Sequence, residues 1–566
     1  MYNVVELFSG IGSQAKALKN LGLEFNTVAT CEWDVHAIIA YDFIHNATTI
    51  PEHVKNMSKE EILDALKKFT FSITGKNALE FKSLKTYSLP ILQHLFTAVE
   101  RNNNFVDICE LNGSHLPDNI DILTYSFPCQ DLSNVGAFHG YNKGIDKDSG
   151  SRSSLLWQVG RLLSEMKACN KSMPRFLLME NVPALLSGRH FKNFSIWISD
   201  LKNLGYISKY YQLNTSSFGL PQNRPRLLMI SVFVGENRTA AELTLDYLKM
   251  KNESGVIQDY VNSPFFSEVH VEDLLRTDYT NADFLQEAVD CTPNETVSRK
   301  KIWDDNPQII LPGNHFNSEI DVIRTITTKQ DRNPNSGNLY FDSHIKGRSK
   351  FRYLTPRECM LFMGFTDKDY QVLKNHNLEF HKGDALFARD KVIRMAGNSI
   401  PVKLLEGVFY QIWKIDNLLN ELDRYACNCL SESQRRIDLI NRVKANLFAR
   451  GIRNRKAKCA FPEDADIIYP KYKTAVYIKD CFWHGHSCKN AELPKVNQEF
   501  WKDKVQCTID RDKDIFKHAI DMGWNAIVVW ECDLTEAVLD RKLDELFSLI
   551  KDNYETNKEV GEIIIL

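Results

Sequence analysis

The side chain best suited to chemistry in this chain is Cys129, within the stretch Phe127-Pro128-Cys129-Gln130. The apolar run Ile122-Leu123-Thr124-Tyr125 precedes it and is typical of a buried strand, so Cys129 is expected at the carboxyl end of that strand. In an open α/β sheet, ligands bind at this end of the strands. Because a proline restricts the backbone beside the thiol, Cys129 is a candidate nucleophile.

Further polar motifs stand in order along the chain, most of them beside predicted strands. Glycines after the first strand let the backbone approach a ligand at a helix N-terminus, although a tight turn without a ligand has the same pattern. An acid that ends the next strand can hold ribose hydroxyls. The motifs are Phe8-Ser9-Gly10-Ile11-Gly12, Glu32-Trp33, Glu180-Asn181-Val182, Gln222-Asn223-Arg224-Pro225-Arg226, Arg352-Tyr353-Leu354-Thr355-Pro356-Arg357-Glu358-Cys359 and Gly397-Asn398-Ser399-Ile400-Pro401-Val402.

A second group of reactive residues lies near the C-terminus. Cys481, His486 and Cys488 have the spacing of structural zinc ligands, and Cys532 follows a predicted strand as the fourth ligand. A set of free buried cysteines is the alternative interpretation. Asp466 begins a predicted hairpin, where a carboxylate can hold magnesium beside a scissile phosphate.

Composition indicates the class of molecule that carries these groups. A chain of 566 residues predicts roughly two to four domains. Thirteen cysteines without a signal peptide argue against a disulfide framework. No apolar run approaches about 18 residues, so we expect no transmembrane helix, no membrane partner and a cytoplasmic location. The net charge of −3 does not decide for or against a polyanionic partner.

The elements that position the reactive residues follow from hydrophobic patterning. Residues 1–230 alternate strand-like and helix-like segments, which predicts a parallel, doubly wound α/β sheet. The basic residues within 435–458 indicate either a solvated helix face or a phosphate-binding surface. The remaining predicted regions are a helical insertion at 47–100, a separate irregular domain at 235–345, α/β structure at 354–413 and a helical connector at 416–433.

The ordered motifs between residues 1 and 415 resemble those of DNA (cytosine-5)-methyltransferases. The resemblance implies an α/β, Rossmann-like, S-adenosylmethionine-dependent catalytic domain at 1–234 and 346–415, with an irregular target-recognition domain at 235–345. Cytosine carbon 5 becomes nucleophilic after a thiolate adds to carbon 6, which is the role implied for Cys129. Glu180 would protonate ring nitrogen 3, and Arg224 and Arg226 would hold the base, a phosphate or the thiolate.

The same resemblance implies the remaining contacts with DNA and cofactor. A cytosine must leave the duplex before it can be attacked, and the loop from Asp131 to Ser154 would close over it. The stretch Thr328-Lys329-Gln330-Asp331-Arg332-Asn333 would touch base edges or phosphates. The S-adenosylmethionine site would consist of Phe8, Gly10, Gly12, Glu32, Trp33, Asp107, Ile108, Asn398 and Ser399.

Residues 435–535 resemble the very-short-patch-repair (Vsr-like) mismatch endonucleases. The resemblance implies a zinc-containing, restriction-endonuclease-like α/β domain at 434–566 that follows a linker at 416–433. It assigns structural zinc to Cys481, His486, Cys488 and Cys532, magnesium to Asp466, and catalytic assistance to His484 and Asp512.

The C-terminal region also departs from that family. Lys479 stands where a histidine is usual, and the acidic residue expected near Ile440 is absent, although Asp438 lies close by. Lysine at this position resembles the lysine of the wider restriction-endonuclease-like fold and is compatible with activity. By the same resemblance, the aromatic side chains of Phe482 and Trp483 would wedge between stacked bases.

The leading interpretation is a bifunctional bacterial enzyme that methylates cytosine at carbon 5 in a specific duplex sequence and nicks T·G mismatches. Such mismatches arise when 5-methylcytosine deaminates to thymine. One alternative is a fused restriction–modification enzyme that cuts unmethylated sites, and another is an inactive nuclease fold that only binds DNA. The expected partner is double-stranded DNA, with mismatch-repair proteins as further candidates. A monomer associated with the nucleoid is expected.

Overall fold

The chain forms two compact units, Met1–Trp413 and Lys414–Leu566. Each unit has its own sheet and its own core. The computed structural model describes residues 1–129, 132, 145–146, 152–332, 334–381, 383–452, 465–535, 538–555 and 563–565, without the side chains of 189, 238–239, 381, 421–438 and 553–555.

A six-stranded sheet forms the centre of the first unit, in the order β2-β1-β3-β4-β7-β5. The sequence predicts strands before the Phe8 motif, before Glu32 and before Cys129, and β1, β2 and β3 lie there, whereas β5 was not predicted. The strands of this unit are β1 (Tyr2–Leu7), β2 (Phe25–Cys31), β3 (Ile122–Tyr125), β4 (Phe176–Asn181), β5 (Tyr206–Asn214), β6 (Gln222–Asn223), β7 (Pro225–Phe233), β8 (Gln308–Leu311), β9 (His315–Phe316), β10 (Ile323–Arg324), β11 (Asn338–Tyr340), β12 (Phe351–Tyr353), β13 (Glu379–His381) and β14 (Asp384–Ala385).

The prediction of a wholly parallel sheet is wrong for one strand. The pairs among β1, β2, β3 and β4 are parallel, but β7 runs antiparallel to both β4 and β5. The short connection between β5 and β7 reverses the chain, and such a connection joins antiparallel neighbours. The order around β1 places β2 on one side and β3 on the other, so the carboxyl ends of these strands border a crevice at a topological switch point.

Helices cover this sheet, and its core is apolar on both faces. Val5, Leu123 and Leu177 are fully buried, as expected for central strands between two helical layers. The helices of the first unit are Ser13–Asn20, Val35–His45, Glu52–Lys55, Lys59–Leu66, Phe81–Leu84, Leu89–Arg101, Leu156–Ala168, Gly188–Asn203, Arg238–Met250, Glu253–Val261, Val271–Leu274, Ala282–Asp290, Val297–Asp305, Pro356–Phe362, Asp367–Asn375, Arg389–Asn398 and the first part of Val402–Ala449.

Residues 235–345 contain more regular structure than the sequence suggests, and they belong to the first compact unit. The asparagines that give this region an irregular composition begin helices. Asn252 accepts a hydrogen bond from the N–H of Gly255, and Asn281 accepts one from the N–H of Asp283. Asparagine is a favoured N-cap residue, so the same residues that indicate loops also start helices. Three strands of this region, β8, β9 and β11, form a four-stranded sheet with β12, in the order β12-β11-β8-β9.

The second unit has a four-stranded sheet in the order β15-β16-β17-β18. The hairpin β15/β16 is antiparallel, and the other pairs are parallel. The predicted connector at 416–433 lies within the helix Val402–Ala449. No helix in the described part of the chain is long and apolar enough to cross a bilayer. The elements are β15 (Ile467–Tyr469), β16 (Thr474–Lys479), β17 (Asn525–Trp530), β18 (Ile563–Ile565) and the helices Gln498–Asp521 and Leu539–Glu555.

Candidate active sites

A cavity of about 390 Å³ lies where β1, β2, β3 and β4 end. It brings together residues that are far apart in the sequence. The predicted residues that line it are Phe8, Gly10, Glu32, Trp33, Asp107, Ile108, Cys129, Glu180, Arg224, Arg226, Asn398 and Ser399.

Among the residues predicted for the S-adenosylmethionine site, Gly12 does not line this cavity. It precedes the helix Ser13–Asn20 with φ +79°, a conformation that glycine adopts at low cost. A Cβ at this position would lie 2.3 Å from Nε2 of His45 and 2.7 Å from the ring of Tyr41. Gly12 therefore allows the turn after β1 to pack closely against the helix Val35–His45.

Glu32 ties the turns after β1 and β2 together at one end of the cavity. Its Oε2 accepts the N–H of Gly10 at 3.0 Å, and its Oε1 accepts the N–H groups of Trp33 and Asp34, each at 2.9 Å. Burial raises the pKa of Glu32 to about 7, against the opposing effect of these N–H donors. Oε1 already accepts two N–H groups, whereas Oε2 accepts one of the three, so Oε2 can still accept a hydrogen bond from a hydroxyl of a ligand.

Asn104 supports this end of the cavity, and the sequence analysis missed it. Its Oδ1 accepts the N–H groups of Glu32 and Val106, both at 3.0 Å, and its Nδ2 donates to the carbonyl of Glu32 at 3.0 Å. The contact holds Asp107 and Ile108 beside the turn after β2. An asparagine after a polar insertion carries no signal for a partner so distant in the chain.

Cys129 is half-buried and lines the same cavity. The turn that carries it is fixed on both sides, because Asn181 donates to the carbonyl of Phe127 at 3.0 Å and Ser153 donates to the carbonyl of Pro128 at 2.6 Å. Burial raises the pKa of the Cys129 thiol, while the positive charge of Arg226 acts in the opposite direction. The geometry thus presents a sulfur atom to the cavity from a rigid turn.

Glu180 and Arg226 form an ion pair beside this cysteine. Nε of Arg226 lies 2.9 Å from Oε1 of Glu180, and both side chains are largely buried. Burial raises the pKa of Glu180, and the two arginines Arg226 and Arg224 limit that rise. A carboxyl group with a raised pKa can carry a proton at a higher pH than an exposed one.

Arg224 has a different environment from Arg226, although both line the cavity. Its guanidinium donates to the main-chain carbonyls of Ile326, Gly397 and Ser399. Burial lowers its pKa, with the nearby charge of Arg226 as a further cause. The sequence predicted a cationic fork for a base, phosphate or thiolate, whereas these contacts connect segments of the protein itself.

The second unit brings the four predicted zinc ligands together. One ligand atom from each of Cys481, His486, Cys488 and Cys532 lies within 4.8 Å of the other three. Sγ of Cys532 is 3.4 Å from Nδ1 of His486, whose ring stacks on Trp530 with the centroids 4.4 Å apart. Three cysteines and one histidine are a donor set that suits tetrahedral zinc.

Gly485 shows why the turn between these ligands needs glycine. Its φ is +68°, and a Cβ there would lie 2.6 Å from Cδ1 of Ile509 and 3.1 Å from Cγ1 of Val505. The turn between Cys481 and Cys488 therefore packs directly on the helix Gln498–Asp521. This packing fixes the backbone that carries His486.

The predicted nuclease residues His484 and Asp512 are in direct contact. Nδ1 of His484 and Nζ of Lys479 bond to different oxygens of Asp512, the lysine at 2.9 Å. Burial acts to raise the pKa of Asp512, but its hydrogen bonds with His484 and Lys479 outweigh that effect and lower it. The lysine that replaces the expected histidine is thus part of the cluster. Asp480, which the sequence analysis missed, lies 3.6 Å from Nε2 of His484.

Asp466 stands directly before β15, as predicted. Its Oδ2 accepts the N–H of Ile478 at 2.7 Å, and its own N–H donates to the carbonyl of Val476 at 3.0 Å. These bonds place its carboxylate beside the end of β16, one residue from Lys479. Magnesium commonly binds through one or two carboxylates together with substrate phosphates, so this placement fits that ion.

The two aromatic residues predicted to wedge between bases differ in exposure. Phe482 is 7% exposed and packs on Trp501 with the ring centroids 5.5 Å apart. Trp483 is half-buried, and its centroid is 5.8 Å from that of Trp501. Trp483 is therefore the more accessible of the pair, and Phe482 belongs to the packing beneath it.

Several residues and segments singled out in the sequence lie wholly or partly outside the described residues. They include Gln130, most of the loop from Asp131 to Ser154, Asn333, the side chain of Asp438 and much of the basic stretch 435–458. Within the described part, Gln330 is 1% exposed and accepts a hydrogen bond from Ser336 at 2.7 Å. Its side chain is part of the protein interior rather than a base-reading group in this conformation.

Comparisons with known proteins match two separate families to two parts of the chain. The C-5 cytosine-specific DNA methylase family matches residues 2–73 and 62–414, and the DNA mismatch endonuclease Vsr family matches residues 428–490. The orphan methyltransferase M.SssI of Spiroplasma monobiae is 32% identical over 413 residues, which cover 72% of this chain and 96% of that protein.

Other relatives match one part of the chain each. The type II nicking enzyme V.NmeAIP of Neisseria meningitidis is 40% identical over 111 residues, which cover 19% of this chain and 79% of that enzyme. Among solved structures, the S. pombe Dnmt2 methyltransferase covers 74% of this chain and 100% of its own, with 16% identity and a TM-score of 0.43.

The chain belongs to the C-5 cytosine-specific DNA methylases. Its C-terminal part is a Vsr-type DNA endonuclease domain, so the protein is a cytosine-5 methyltransferase fused to a Vsr-type endonuclease domain.

Proposed function

We propose that this chain methylates carbon 5 of cytosine in a specific duplex DNA sequence through Cys129, and that its C-terminal unit nicks T·G mismatches. The observation that supports the first activity is the cavity at the ends of β1 to β4. It is lined by the half-buried thiol of Cys129 and by the largely buried ion pair of Glu180 and Arg226. The cluster of Lys479, His484 and Asp512 supports the second.

Cys129 is the nucleophile of the proposed methylation. Its sulfur adds to carbon 6 of a flipped cytosine, and the ring electrons move toward carbon 5 and nitrogen 3. Glu180 donates its proton to nitrogen 3 and so limits the negative charge on the ring. Arg226 orients Glu180 through the 2.9 Å contact and attracts the thiolate form of Cys129. After methylation, water takes up the proton of carbon 5 and the thiolate leaves carbon 6. Nitrogen 3 returns its proton to Glu180, which restores the neutral aromatic base.

The cofactor of this reaction is S-adenosylmethionine, which supplies an electrophilic methyl group when bound. Glu32 is placed to accept hydrogen bonds from ribose hydroxyls, as acids after the second strand do in related α/β sheets. The fit rests on the cavity itself, because Glu32 and Cys129 both line one cavity of about 390 Å³. The other proposed binding residues are Phe8, Gly10, Trp33, Asp107, Ile108, Asn398 and Ser399, with Gly12 shaping the turn.

The metal ions of the C-terminal unit have separate roles in this proposal. Zinc bound by Cys481, His486, Cys488 and Cys532 is structural, because four protein ligands leave no open position. Magnesium at Asp466 stabilises charge on the scissile phosphate when bound. His484 is held by Asp512 and moves a proton at its other ring nitrogen.

The domain boundaries of the proposal follow the predicted ones. The catalytic domain comprises residues 1–234 and 346–415, the target-recognition domain 235–345, the linker 416–433 and the endonuclease domain 434–566. Double-stranded DNA is the partner of both activities. We further propose that the protein acts as a monomer in the bacterial cytoplasm, at the nucleoid and together with mismatch-repair proteins.

Bisulfite sequencing tests the methylation and identifies its target. DNA from bacteria that express the full chain should contain 5-methylcytosine at one recurrent sequence. Cys129→Ser should abolish this signal while gel-shift binding of unmethylated duplex persists, because serine keeps the shape but is a far weaker nucleophile. Cys169→Ser is the matched control, since Cys169 is an exposed cysteine outside the cavity lining. Methylation that survives in Cys129→Ser would remove Cys129 from this role.

A further inference from the structure

Arg224 connects two main-chain segments in the first unit. The residue is 2% exposed. Nη1 donates to the carbonyl of Ile326 at 2.8 Å, and Nη2 donates to the carbonyls of Gly397 and Ser399 at 2.9 and 3.0 Å. A planar guanidinium can hold several acceptors in a fixed geometry, which lysine cannot. Arg224 therefore fixes the distance between the chain at 326 and the turn at 397–399.

The first of these segments, residues 323–329, also forms hydrogen bonds with Gln222 and Asn223, which directly precede Arg224. β10 pairs with β6 in parallel, with Arg324 opposite Asn223. Thr325 donates its hydroxyl to the carbonyl of Asn223 at 2.7 Å, and the N–H of Ile326 donates to Oε1 of Gln222 at 3.0 Å. A displacement of this segment is therefore transmitted to Arg224.

The outer side of segment 323–329 is exposed and positively charged. Arg324 and Lys329 are both exposed, and neither forms an ion pair with a carboxylate in the described part of the chain. Exposed cations without internal partners are suited to the phosphates of duplex DNA. DNA bound to this face would hold the segment in place.

The second segment, Gly397–Ser399, packs directly against the first, backbone to backbone, at Gly397 and Thr327. A Cβ at Gly397 would lie 2.6 Å from both the carbonyl carbon and the carbonyl oxygen of Thr327. Only glycine leaves room for this approach of two backbones. Asn398 and Ser399 line the cavity, so the contact reaches the wall of the proposed cofactor site.

We propose that Arg224 and Gly397 couple the binding of duplex DNA to the binding of the cofactor. Phosphates that hold segment 323–329 fix Ile326 and Thr327, and through Arg224 and Gly397 they fix the turn that lines the cavity. Coupling between two sites is reciprocal, so each ligand strengthens the binding of the other. Arg224 is thus a positioning residue. This inference rests on the proposed function, in which the cavity takes S-adenosylmethionine.

Titration calorimetry with S-adenosylhomocysteine measures this coupling on the full chain. The ligand is titrated with and without saturating sheared, unmethylated phage DNA. For the wild type we expect the affinity to be about fivefold or more higher with DNA. Arg224→Lys keeps the charge but loses the fork, and Gly397→Ala pushes the two segments apart. Both variants should bring the ratio of affinities close to one.

Arg101→Lys is the matched control. Arg101 also holds two main-chain carbonyls, those of Ala47 and Thr49, and pairs with Asp42, but it does not line the cavity. This variant should keep the wild-type ratio, which shows that loss of a structural arginine fork alone does not remove the coupling.

Three results would overturn parts of this scheme. A ratio of one in the wild type overturns the coupling. A wild-type ratio in either Arg224→Lys or Gly397→Ala, when thermal melting shows that the variant is folded, overturns the route through that residue. If the wild type does not bind S-adenosylhomocysteine with or without DNA, the proposed cofactor fails as well, whereas binding without coupling leaves the proposed function intact.

Discussion

At the scale of single residues, Glu180 and Cys129 line the same cavity but need opposite protonation states. In the proposed reaction Glu180 must hold a proton that it can donate, and Cys129 must lose one before it attacks. Burial raises the pKa of both groups, and Arg226 opposes that rise in each. The fraction of thiolate therefore increases with pH, while the fraction of protonated Glu180 decreases as the pH rises through its raised pKa.

We predict a bell-shaped dependence of kcat on pH, with Cys129 on the rising limb and Glu180 on the falling limb. Glu180→Gln should lower kcat by roughly 10²-fold or more, because glutamine cannot donate a proton to ring nitrogen 3. It should also remove the falling limb, because no carboxyl group then loses a proton in that range. Methyl transfer from tritiated S-adenosylmethionine, measured from pH 5 to 10, gives both quantities.

Glu165→Gln provides the comparison for this experiment. Glu165 also pairs with an arginine, Arg161 at 2.8 Å, but it lies outside the cavity lining. That variant should keep both limbs. A falling limb that persists unchanged in Glu180→Gln would assign the proton donor to another group.

The sequence predicts which residues reach the cavity better than it predicts what they touch there. Cys129 and Glu180 follow or end apolar strands, and that pattern alone places them at one edge of the sheet. Arg224 gives no such indication, because its partners Ile326 and Gly397 are distant in the chain and present only main-chain carbonyls. Main-chain acceptors are available at almost every residue, so no residue type marks them.

At the scale of elements, strands with a local sequence pattern were predicted, whereas a strand that depends on pairing with another segment was not. β2 ends where predicted, because the acid Glu32 directly follows its last residue, Cys31. β5 contains Lys209, Tyr210 and Gln212 and lacks a buried apolar run. It is a strand because it pairs along its whole length with β7, and pairing is a property of the fold.

The cluster of Cys481, His486, Cys488 and Cys532, which we propose to bind zinc, is expected to depend on that ligand for its stability. Zinc at this cluster would add to the free energy of folding, because the four ligands come from separate positions in the chain and meet in the folded unit. We predict that Cys488→Ala releases zinc and unfolds the C-terminal unit, because one of four ligands is lost. Zinc content by atomic emission, with thermal melting followed by circular dichroism, measures both effects.

Cys507→Ala is the corresponding control for zinc binding. Cys507 is an exposed cysteine on the helix Gln498–Asp521 and does not belong to the cluster. This variant should retain one zinc per chain and the wild-type melting curve. Stoichiometric zinc in Cys488→Ala would show that the ligand set is different.

At the scale of the whole molecule, the two activities concern the same base. Methylation at carbon 5 creates a cytosine that deaminates to thymine, and the resulting T·G mismatch is the substrate proposed for the second unit. Each unit has its own core and its own site residues, so the two chemistries are expected to be separable by mutation. Cys129→Ser should therefore leave nicking unchanged, and Asp466→Ala should leave methylation unchanged.

The substrate of the nuclease decides between a repair enzyme and a fused restriction–modification enzyme. We predict that the full chain, with magnesium and zinc, nicks a duplex that carries a T·G mismatch at the methylation sequence and leaves the matched, unmethylated duplex intact. Asp466→Ala should lose this nicking, because its carboxylate is the proposed magnesium ligand. Asp503→Ala, at an exposed aspartate on the helix Gln498–Asp521, should retain it.

Cutting of the matched, unmethylated duplex would instead identify a restriction activity. Failure to cut any duplex would mean that the substitution of lysine at 479 and the missing acid near 440 have left a domain that only binds DNA.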